Sequence, residues 1–337
     1  MRAFVVTAPH ESGVRDVPDP VAGPGEVVVA VEQVGVCGTD VAFFTGVMPF
    51  LRDGRASYPI RLGHEWMGTV VEVGAGVDTS WIGRRVTGDT MLGCRRCPRC
   101  DAGYQHTCED RLEVGVRGGK DGALAEFIAV PATSLFALPD SVDDMQGALI
   151  EPSGNAMRSV LAADLDAGDR VLVVGPGTIG LLTAMFARAA GAEVHLLGRS
   201  QRTRDFARSL GFDAVWTTDD LPDLAFQAII NASHAADIPA MAIERVEPGH
   251  RVVYVGLSGE PGTIDTRELV YRDITAVGIL SGSPGMQAVI DAFASGAVDP
   301  RPLVAATVPL AATGAILAGE RPAGSGAGPK FHIDPRR

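Results

Sequence analysis

Residues 171–190 read VLVVGPGTIGLLTAMFARAA, and this stretch decides the fold of the second half of the chain. Val171 to Val174 are apolar and mostly β-branched, which predicts a buried strand. Gly175-Pro-Gly177-Thr-Ile-Gly180 follows directly, and an apolar helix is predicted over 179–190. A Gly-x-Gly-x-x-Gly string between a strand and a helix is typical of dinucleotide binding, with a plain βα turn as the alternative.

The three glycines of this turn have separate predicted tasks. Gly175 permits a tight turn, Gly177 lets a pyrophosphate approach the backbone, and Gly180 lets the helix pack closely on the strand. Thr178 and Ile179 begin the helix, whose first backbone N–H groups lack partners within it. We expect these groups to bind the phosphates of a nucleotide.

Strands and helices alternate around this turn from about Gly168 onward. Six buried strands are predicted, at Val171–Val174, Val194–Leu197, Ala214–Trp216, Phe226–Ile230, Val252–Val255 and Ile274–Val277. Helical stretches separate most of them, including 203–210. This alternation predicts an α/β fold with a doubly wound parallel sheet of the Rossmann type.

The remainder of the chain has a different pattern. Up to about Pro139, short β-rich segments such as 26–31 and 68–73 are bounded by Gly, Pro or Asp. After about Pro302 the pattern is β-like again. We therefore predict an irregular, mostly-β domain over 1–153, a nucleotide-binding domain over 154–294, and a segment over 295–337 that returns to the first domain.

The end of the second predicted strand indicates which nucleotide is preferred. An NAD site usually carries Asp or Glu there, which binds the ribose hydroxyls. Here Gly198-Arg199-Ser200 follows the strand, and Arg202 and Arg204 come next. Because a 2′-phosphate requires charged donors and no nearby carboxylate, we expect NADP to be preferred, with NAD possible. The alternative is that these arginines form the solvated face of the following helix.

Four of the five cysteines form one tight run, Cys94-x2-Cys97-x2-Cys100-x7-Cys108. Four thiolates from a short loop match a tetrahedral structural zinc site, which leaves no open coordination position. Two disulfides are the alternative, which the absence of an export signal disfavours. This run therefore predicts a metal that holds a loop and does no chemistry.

Cys37 stands apart from that run, with His64 and Glu65 downstream. Alone, His64 would more often be a structural histidine, but its neighbours favour a metal ligand. Thiolate, imidazole and carboxylate are the ligand types of an open, catalytic zinc site. The sequence therefore predicts two zinc ions per chain with different tasks.

Composition excludes several classes of function. The chain has 41 acidic and 29 basic residues, a formal charge of −12, and no apolar run long enough to span a membrane. Nucleic-acid and acidic-membrane binding need a positive field, so neither partner is expected. The start lacks a signal-peptide pattern, and thiols at metal spacing fit a reducing compartment, so a cytoplasmic location is expected.

The chain resembles the zinc-containing medium-chain dehydrogenase/reductase family, and within it the polyol, sugar, threonine and aminocyclitol dehydrogenases. The resemblance covers nearly the whole chain. The residues that carry it are Val36-Cys-Gly-Thr-Asp40, Gly63-His-Glu65, the four-cysteine run, Glu151-Pro152, the Gly175–Gly180 turn and Gly328-Pro-Lys-Phe331. It implies that the irregular β domain is GroES-like and catalytic, and that subunits pair as a homodimer or homotetramer.

The resemblance also implies roles for single residues. Cys37 and His64 would bind the catalytic zinc together with Glu65 or Glu151, since family members differ in which carboxylate binds directly. Thr39 takes the place of the hydroxyl that receives the substrate proton, and Asp40 would orient the His64 ring. Lys330 aligns with a basic residue near the cofactor pyrophosphate. Many relatives end a proton relay with a histidine where this chain has Ala42, so the proton must leave by another route.

These residues predict reversible oxidation of a secondary alcohol to a ketone, with hydride transfer to the nicotinamide. The substrate is expected to be a small polyol, sugar or cyclitol-like molecule. An alternative is an aminocyclitol dehydrogenase similar to the 2-deoxy-scyllo-inosamine group, which Gly63-His-Glu-Trp66 and Cys108-Glu-Asp110 resemble. A second alternative is a non-catalytic NADP sensor, which the intact set of ligands disfavours.

Overall fold

The computed structural model describes all 337 residues, Met1 to Arg337, as two compact units. The first unit comprises Met1–Glu151 and Asp299–Arg337, and the second comprises Pro152–Val298. None of the helices combines the length and the apolar character needed to cross a bilayer.

The chain contains seventeen strands: β1 Arg2–Ala8, β2 Glu11–Asp16, β3 Glu26–Gly35, β4 Glu65–Val73, β5 Arg85–Gly88, β6 Met91–Leu92, β7 Leu112–Glu113, β8 Phe127–Pro131, β9 Leu135–Ala137, β10 Arg170–Val174, β11 Glu193–Leu197, β12 Val215–Trp216, β13 Phe226–Asn231, β14 Val246–Tyr254, β15 Thr275–Gly278, β16 Val304–Pro309 and β17 Lys330–Asp334. It also contains eleven α-helices: α1 Gly38–Phe44, α2 Pro49–Arg52, α3 Pro98–Asp101, α4 Asp144–Gly147, α5 Ile150–Ala163, α6 Thr178–Ala189, α7 Gln201–Ser209, α8 Ile238–Arg245, α9 Thr266–Tyr271, α10 Met286–Ala294 and α11 Thr313–Leu317.

The first unit is built on one sheet, in the order β16-β17-β3-β4-β5-β9, with β8 paired to β3 as well. Strand β3 is apolar along most of its length and pairs with three other strands, β4, β8 and β17. Trp66, Phe43 and Leu62 are fully buried against this sheet. Because β16 and β17 join the sheet from the end of the chain, residues far apart in sequence meet beside β3.

The second unit is a six-stranded parallel sheet in the order β12-β11-β10-β13-β14-β15. Each predicted strand is present with nearly the predicted ends, except that β14 begins at Val246 and not at Val252. Leu172, Ile229 and Val252 lie on neighbouring central strands and are completely buried, which explains their continuous apolar pattern. From β10 the chain adds β11 and β12 on one side and then β13, β14 and β15 on the other, which is the doubly wound arrangement.

Candidate metal and nucleotide sites

Cys37 lies between β3 and α1, and the start of the helix fixes its position. It caps α1 with an extended backbone, at φ −108° and ψ 161°. Asp40, in the first turn, is fully buried, and its Oδ2 accepts a hydrogen bond from the Cys37 backbone N–H at 2.8 Å. The Cys37 side chain and Thr39, two residues on, are only partly buried. Both therefore remain within reach of a small molecule.

Asp40 also connects this helix to His64. Its Oδ1 accepts a hydrogen bond from the Gly63 N–H at 3.3 Å and lies 3.5 Å from His64 Nδ1. Burial would raise the pKa of Asp40, but the charge of His64 and the N–H donors bring that pKa below its usual value. Burial likewise opposes a proton on His64, yet the Asp40 carboxylate raises the His64 pKa well above its usual value. The negative field that attracts a proton to His64 also favours a metal cation beside it.

Glu65 is held by a buried ion pair with Lys330. The side chain of Glu65 is only 1% exposed and that of Lys330 only 3%. The Lys330 ammonium donates to the two Glu65 oxygens at 2.6 and 2.8 Å and to the Val36 carbonyl at 3.0 Å. Glu65 pairs with Gly35 across β3 and β4, and a Cβ at Gly35 would collide with the Glu65 carboxylate. Glycine is therefore required opposite this buried acid.

The ligand atoms of Cys37, His64 and Glu65 all lie within 4.8 Å of one another. A tetrahedral zinc with bonds of about 2.0–2.3 Å separates its ligands by roughly 3.5 Å, so small side-chain movements would close this set around the ion. Thiolate, imidazole and carboxylate are also the donor types of a zinc site with an open position. These three residues therefore fit a catalytic zinc.

Glu151, the other predicted carboxylate, lies outside this set of three. It is buried near the start of α5, and its pKa is raised to about 7, chiefly by burial. The charge of His64 lowers the Glu151 pKa, whereas Glu65 and Asp89 raise it. Because these effects require proximity, Glu151 belongs to the same buried surroundings as His64 and Glu65.

The four-cysteine run forms a second, compact cluster. The sulfur atoms of Cys94, Cys97, Cys100 and Cys108 lie within 4.8 Å of one another, and all four are free thiols, so the disulfide alternative does not apply. The Cys94 backbone N–H donates to the Cys108 sulfur at 3.5 Å. A hydrogen bond from the Cys100 backbone lowers the pKa of Cys97 to about 7, whereas burial raises the pKa of Cys100 to about 11, so the thiolate is favoured at Cys97 first. These four donors fit a closed zinc site.

In the second unit, the three glycines after β10 occupy three different environments. Gly175 has φ +93°, a conformation that other residues rarely adopt. Gly177 caps α6, and a Cβ there would have nothing within 4 Å, which leaves room for a ligand. A Cβ at Gly180 would collide with the Gly175 carbonyl. Thr178 and Ile179 supply the first backbone N–H groups of α6 beside the open Gly177.

Gly198 and the residues after β11 form a tight loop. Gly198 is buried, and a Cβ there would come within 2.6 Å of the Pro176 side chain. Arg204 donates from Nη1 to the carbonyls of Gly198 and Arg199 at 2.9 and 2.7 Å, so its guanidinium is used to fix the loop. Ser200 caps α7 by accepting from the Thr203 N–H. Arg199 itself is exposed.

Lys330 lies beside the candidate metal ligands. Its ammonium donates to both Glu65 oxygens and to the Val36 carbonyl, and its expected place near the cofactor pyrophosphate stays a prediction. Lys330 therefore belongs with the metal cluster, where the sequence analysis did not place it. No local pattern could have shown this, since Lys330 and Glu65 are 265 residues apart. Gly35 and Asp89 are further members of these surroundings that the sequence analysis missed.

Comparisons with known proteins identify the family of this chain. Two family models match the chain: the alcohol dehydrogenase GroES-like domain over residues 23–140, and zinc-binding dehydrogenase over residues 178–295. An L-threonine 3-dehydrogenase of Sinorhizobium medicae is 32% identical over 291 residues, which is 83% of each chain. A 2-dehydro-3-deoxy-L-galactonate 5-dehydrogenase of Pseudoalteromonas atlantica is 31% identical over 310 residues, 87% of each chain.

Solved structures show the same fold over the whole length. A zinc-binding dehydrogenase of Sinorhizobium meliloti bound to NADP matches with a TM-score of 0.88 at 28% identity, covering 99% of both chains. An Escherichia coli alcohol dehydrogenase complexed with NADH matches with a TM-score of 0.90 at 25% identity, again over 99% of both chains. Fold and sites together define a zinc-dependent, NAD(P)-linked dehydrogenase that acts on alcohols. The chain belongs to the zinc-containing medium-chain dehydrogenase family, so the expected family and fold class are confirmed.

Proposed function

We propose that this dehydrogenase reversibly oxidises a secondary alcohol of a small polyol, sugar or cyclitol-like molecule to a ketone. The observation that carries the proposal is the convergence of Cys37, His64 and Glu65 within 4.8 Å, beside the partly buried Thr39. The relatives named above are dehydrogenases of threonine and of a deoxy-galactonate, both small hydroxylated molecules.

Each residue of the proposed site has a separate task. Cys37, His64 and a carboxylate hold the metal, while buried Asp40 fixes the His64 ring and the Cys37 backbone. When bound, zinc supplies Lewis-acid polarisation of the alcohol oxygen. The Thr39 hydroxyl would receive the alcohol proton, and a bound nicotinamide would supply the hydride acceptor. Ala42 has no titratable group, so the proton continues through water.

Glu65 is proposed as the direct carboxylate ligand, with Glu151 close by. Glu65 lies within the set of ligand atoms, and Lys330 holds it there. Zinc analysis of Glu65→Gln and Glu151→Gln distinguishes the two: loss of one zinc from the first variant only is expected. Loss from the second variant only would assign the ligand to Glu151.

We also propose a second, structural zinc in the four-cysteine cluster, which makes two per chain. Zinc analysis of the purified chain is expected to give two ions, and one ion in variants of either cluster. A value of one in the unaltered chain would contradict the proposal. The free state of all five cysteines also fits a reducing compartment, so we place the enzyme in the cytoplasm.

NADP is proposed as the preferred nucleotide. The position after β11 carries no carboxylate, and exposed Arg199 is the cation best placed to bind a 2′-phosphate. Arg204 contributes indirectly, because its guanidinium fixes the backbone of Gly198 and Arg199. The two similar structures bind different nucleotides, NADP in one and NADH in the other. The proposal therefore rests on the loop residues of this chain.

A homodimer is proposed, with a homotetramer as the alternative. Strand β15 is the edge of the six-stranded sheet, and most of its side chains are exposed. Val270 and Tyr271 nearby are each 79% exposed, and Leu280 is 45% exposed. An uncovered strand edge beside exposed apolar side chains is a surface that proteins normally cover. Light scattering of Thr275→Pro should show a smaller species than the unaltered chain, and an identical mass would contradict pairing through β15.

A substrate panel tests the proposed reaction. Polyols, sugars, cyclitols, aminocyclitols and hydroxy acids are offered with NADP, and absorbance of the reduced nicotinamide is followed. We expect turnover of at least one secondary alcohol, which disappears in Cys37→Ser. Turnover of primary alcohols alone would contradict the proposal, and no turnover by the zinc-loaded protein would favour the sensor alternative.

A further inference from the structure

A basic groove lies on the surface of the first unit, apart from the residues assigned above. It has a volume of about 270 Å³ and is bounded by residues 54–61 on one side and 117–121 on the other. Arg55, Arg61, Arg117 and Lys120 line it, and Asp121 is the one acidic residue that does so. In a chain with a formal charge of −12, four cations around one small groove are a marked local reversal of charge.

The walls of this groove are joined by backbone hydrogen bonds. The Gly118 N–H donates to the Arg55 carbonyl at 3.0 Å, and the Gly122 N–H donates to the Arg61 carbonyl at 2.9 Å. Gly118 and Gly119 have φ of +73° and +72°, so the turn between Arg117 and Lys120 requires glycine. The cations are therefore mounted on a defined backbone before any ligand arrives.

Arg61 is the least satisfied of the four cations. Its side chain is only 9% exposed, and its Nε is buried without a hydrogen-bond partner. Its ion-pair partner is Asp121, at 2.9 Å from Nη2, and the Asp121 side chain is 64% exposed. A buried guanidinium that shares one solvent-exposed carboxylate still has an unmet need for an acceptor.

The other three cations have partners that lie outside the lining of the groove. Arg117 donates from Nη2 to the Glu109 carbonyl at 2.8 Å, and its Nη1 lies 3.9 Å from a Glu113 oxygen that accepts a closer hydrogen bond from Arg111. Lys120 pairs with Glu26 at 2.9 Å, and Arg55 pairs with Asp53. Glu113, Glu26 and Asp53 do not line the groove. The groove is therefore lined by four cations and a single carboxylate, and the partners of the other three cations lie behind its walls.

We propose that this groove binds the phosphate group of a small molecule. Planar guanidinium groups match the oxygen geometry of phosphate. A phosphate dianion can also accept hydrogen bonds from several cations at once, which a single carboxylate does less well. The volume accommodates a phosphate with a short organic substituent. The proposal concerns binding alone, so it stands whether or not the chain oxidises the alcohols proposed above.

Isothermal titration calorimetry with inorganic phosphate tests the site. The full-length, zinc-loaded protein is first saturated with NADP so that the nucleotide site cannot bind the probe, and ionic strength is held constant with chloride. We expect one phosphate per chain and a saturable isotherm. A flat titration at millimolar phosphate would overturn the proposal.

Variants locate the bound phosphate. Arg117→Gln combined with Lys120→Gln should weaken binding by at least about tenfold, since each charge-assisted hydrogen bond alone can account for that factor. Arg15→Gln combined with Arg84→Gln removes two exposed arginines outside the groove and serves as the matched control, with affinity unchanged. Asp121→Asn should tighten binding, because it removes the carboxylate that competes for Arg61. Equal affinities in the two double variants would overturn the proposal, as would weaker binding by a folded Asp121→Asn protein.

The source of the phosphate is resolved with a second probe. Glycerol 3-phosphate and inorganic phosphate are titrated in parallel under the same conditions. Tighter binding of the ester identifies a phosphorylated metabolite as the ligand, and equal or weaker binding of the ester identifies free phosphate. Both outcomes uphold the site, whereas binding of neither would overturn it.

Discussion

The two clusters of candidate metal ligands in the first unit are built in opposite ways. The four-cysteine cluster uses ligands of one chemical type from a single segment, Cys94 to Cys108, and three of its cysteines are only partly buried. The Cys37, His64 and Glu65 cluster mixes three ligand types taken from the start of a helix and the start of a strand. Its carboxylate depends on Lys330, which enters from the other end of the chain.

The contrast shows what each kind of site is suited to do. A local cluster of four thiolates leaves no coordination position free, so it stabilises a loop. A cluster assembled by the sheet keeps its charged groups buried and oriented before a substrate arrives, which is what catalysis requires. Damage to the first should therefore reduce stability, and damage to the second should reduce turnover.

The largest expected effect is the loss of turnover in Cys37→Ser or His64→Ala. Polarisation by a metal contributes several kcal/mol, and each 1.36 kcal/mol is a factor of ten, so kcat should fall by about a thousandfold or more. Nucleotide affinity should be unchanged, because the Gly175–Gly180 turn belongs to the other unit. Steady-state kinetics measures kcat, and nucleotide titration measures the affinity. A variant that kept most of its activity and its full zinc content would remove this cluster from the chemistry.

Cys97→Ser or Cys100→Ser should give the reverse result. Loss of one thiolate opens the closed site and frees the loop, so the melting temperature should drop by roughly 5 °C or more. Turnover per folded molecule should stay near that of the unaltered enzyme at low temperature. Scanning calorimetry and kinetics at 15 °C separate the two properties. An unaltered melting temperature with a large fall in kcat would mean that the two clusters do not divide their tasks in this way.

The glycine turn offers a paired test of local packing in the second unit. Gly180→Ala forces a Cβ against the Gly175 carbonyl and should lower the free energy of unfolding by about 1–3 kcal/mol. Gly177→Ala meets nothing within 4 Å, so stability should change by less than about 0.5 kcal/mol while nucleotide affinity falls. Urea unfolding and nucleotide titration of both variants provide the measurement. Equal destabilisation by the two substitutions would contradict the separate roles.

Arg199→Ala should reduce the ratio of kcat/KM for NADP over NAD by about tenfold, since a charged hydrogen bond contributes about 1.5–3 kcal/mol. Gly198→Asp should not be combined with Arg199→Ala, because a Cβ at position 198 would lie only 2.6 Å from the Pro176 side chain and would disturb the loop. Arg202→Ala, on the exposed face of α7, is the control and should leave the ratio unchanged. Preference for NAD by the unaltered enzyme would show that Arg199, just before α7, is a solvated residue that does not bind the 2′-phosphate.

The smallest expected effect reports on how β17 docks in the sheet. His332 on β17 is fully buried next to Gln33, and burial lowers its pKa to about 3. A histidine in the unfolded chain has a pKa near 6.5, so below that pH the unfolded chain binds a proton at His332 and the folded chain does not. Stability is therefore complete above about pH 6.5 and is lost as the pH falls below it, by about 1 kcal/mol between pH 6.5 and 5.5.

His332→Gln should lack this part of the pH dependence. Urea unfolding of both proteins at pH 6.5 and 5.5 measures the difference between their slopes. Parallel slopes would show that His332 is accessible to protons in the folded state, and hence that β17 docks less tightly than its buried side chains indicate.

Features that depend on residues close together in the sequence are predicted correctly from it. The six parallel strands follow from short apolar runs, the nucleotide turn from three glycines at fixed spacing, and the cysteine cluster from four thiols within one loop. Each of these patterns lies inside a single strand, turn or loop, so the chemistry of neighbouring residues is enough to predict it. The exception is β14, which begins at Val246 and not at Val252, because its first residues lack the apolar run that marks the rest of the strand.

Tertiary structure alone decided how the buried charges are paired. The ammonium of Lys330 pairs with Glu65, Glu151 stands outside the closest ligand set, and Arg204 binds backbone carbonyls. The basic groove likewise forms only because residues 54–61 meet the turn at 117–121. The physical reason is that a charge removed from water depends on whichever partner the fold brings within about 3 Å, and such partners need not be near in sequence. Sequence by itself determined the family, the fold class and the candidate ligands; the fold determined which of them share one buried site.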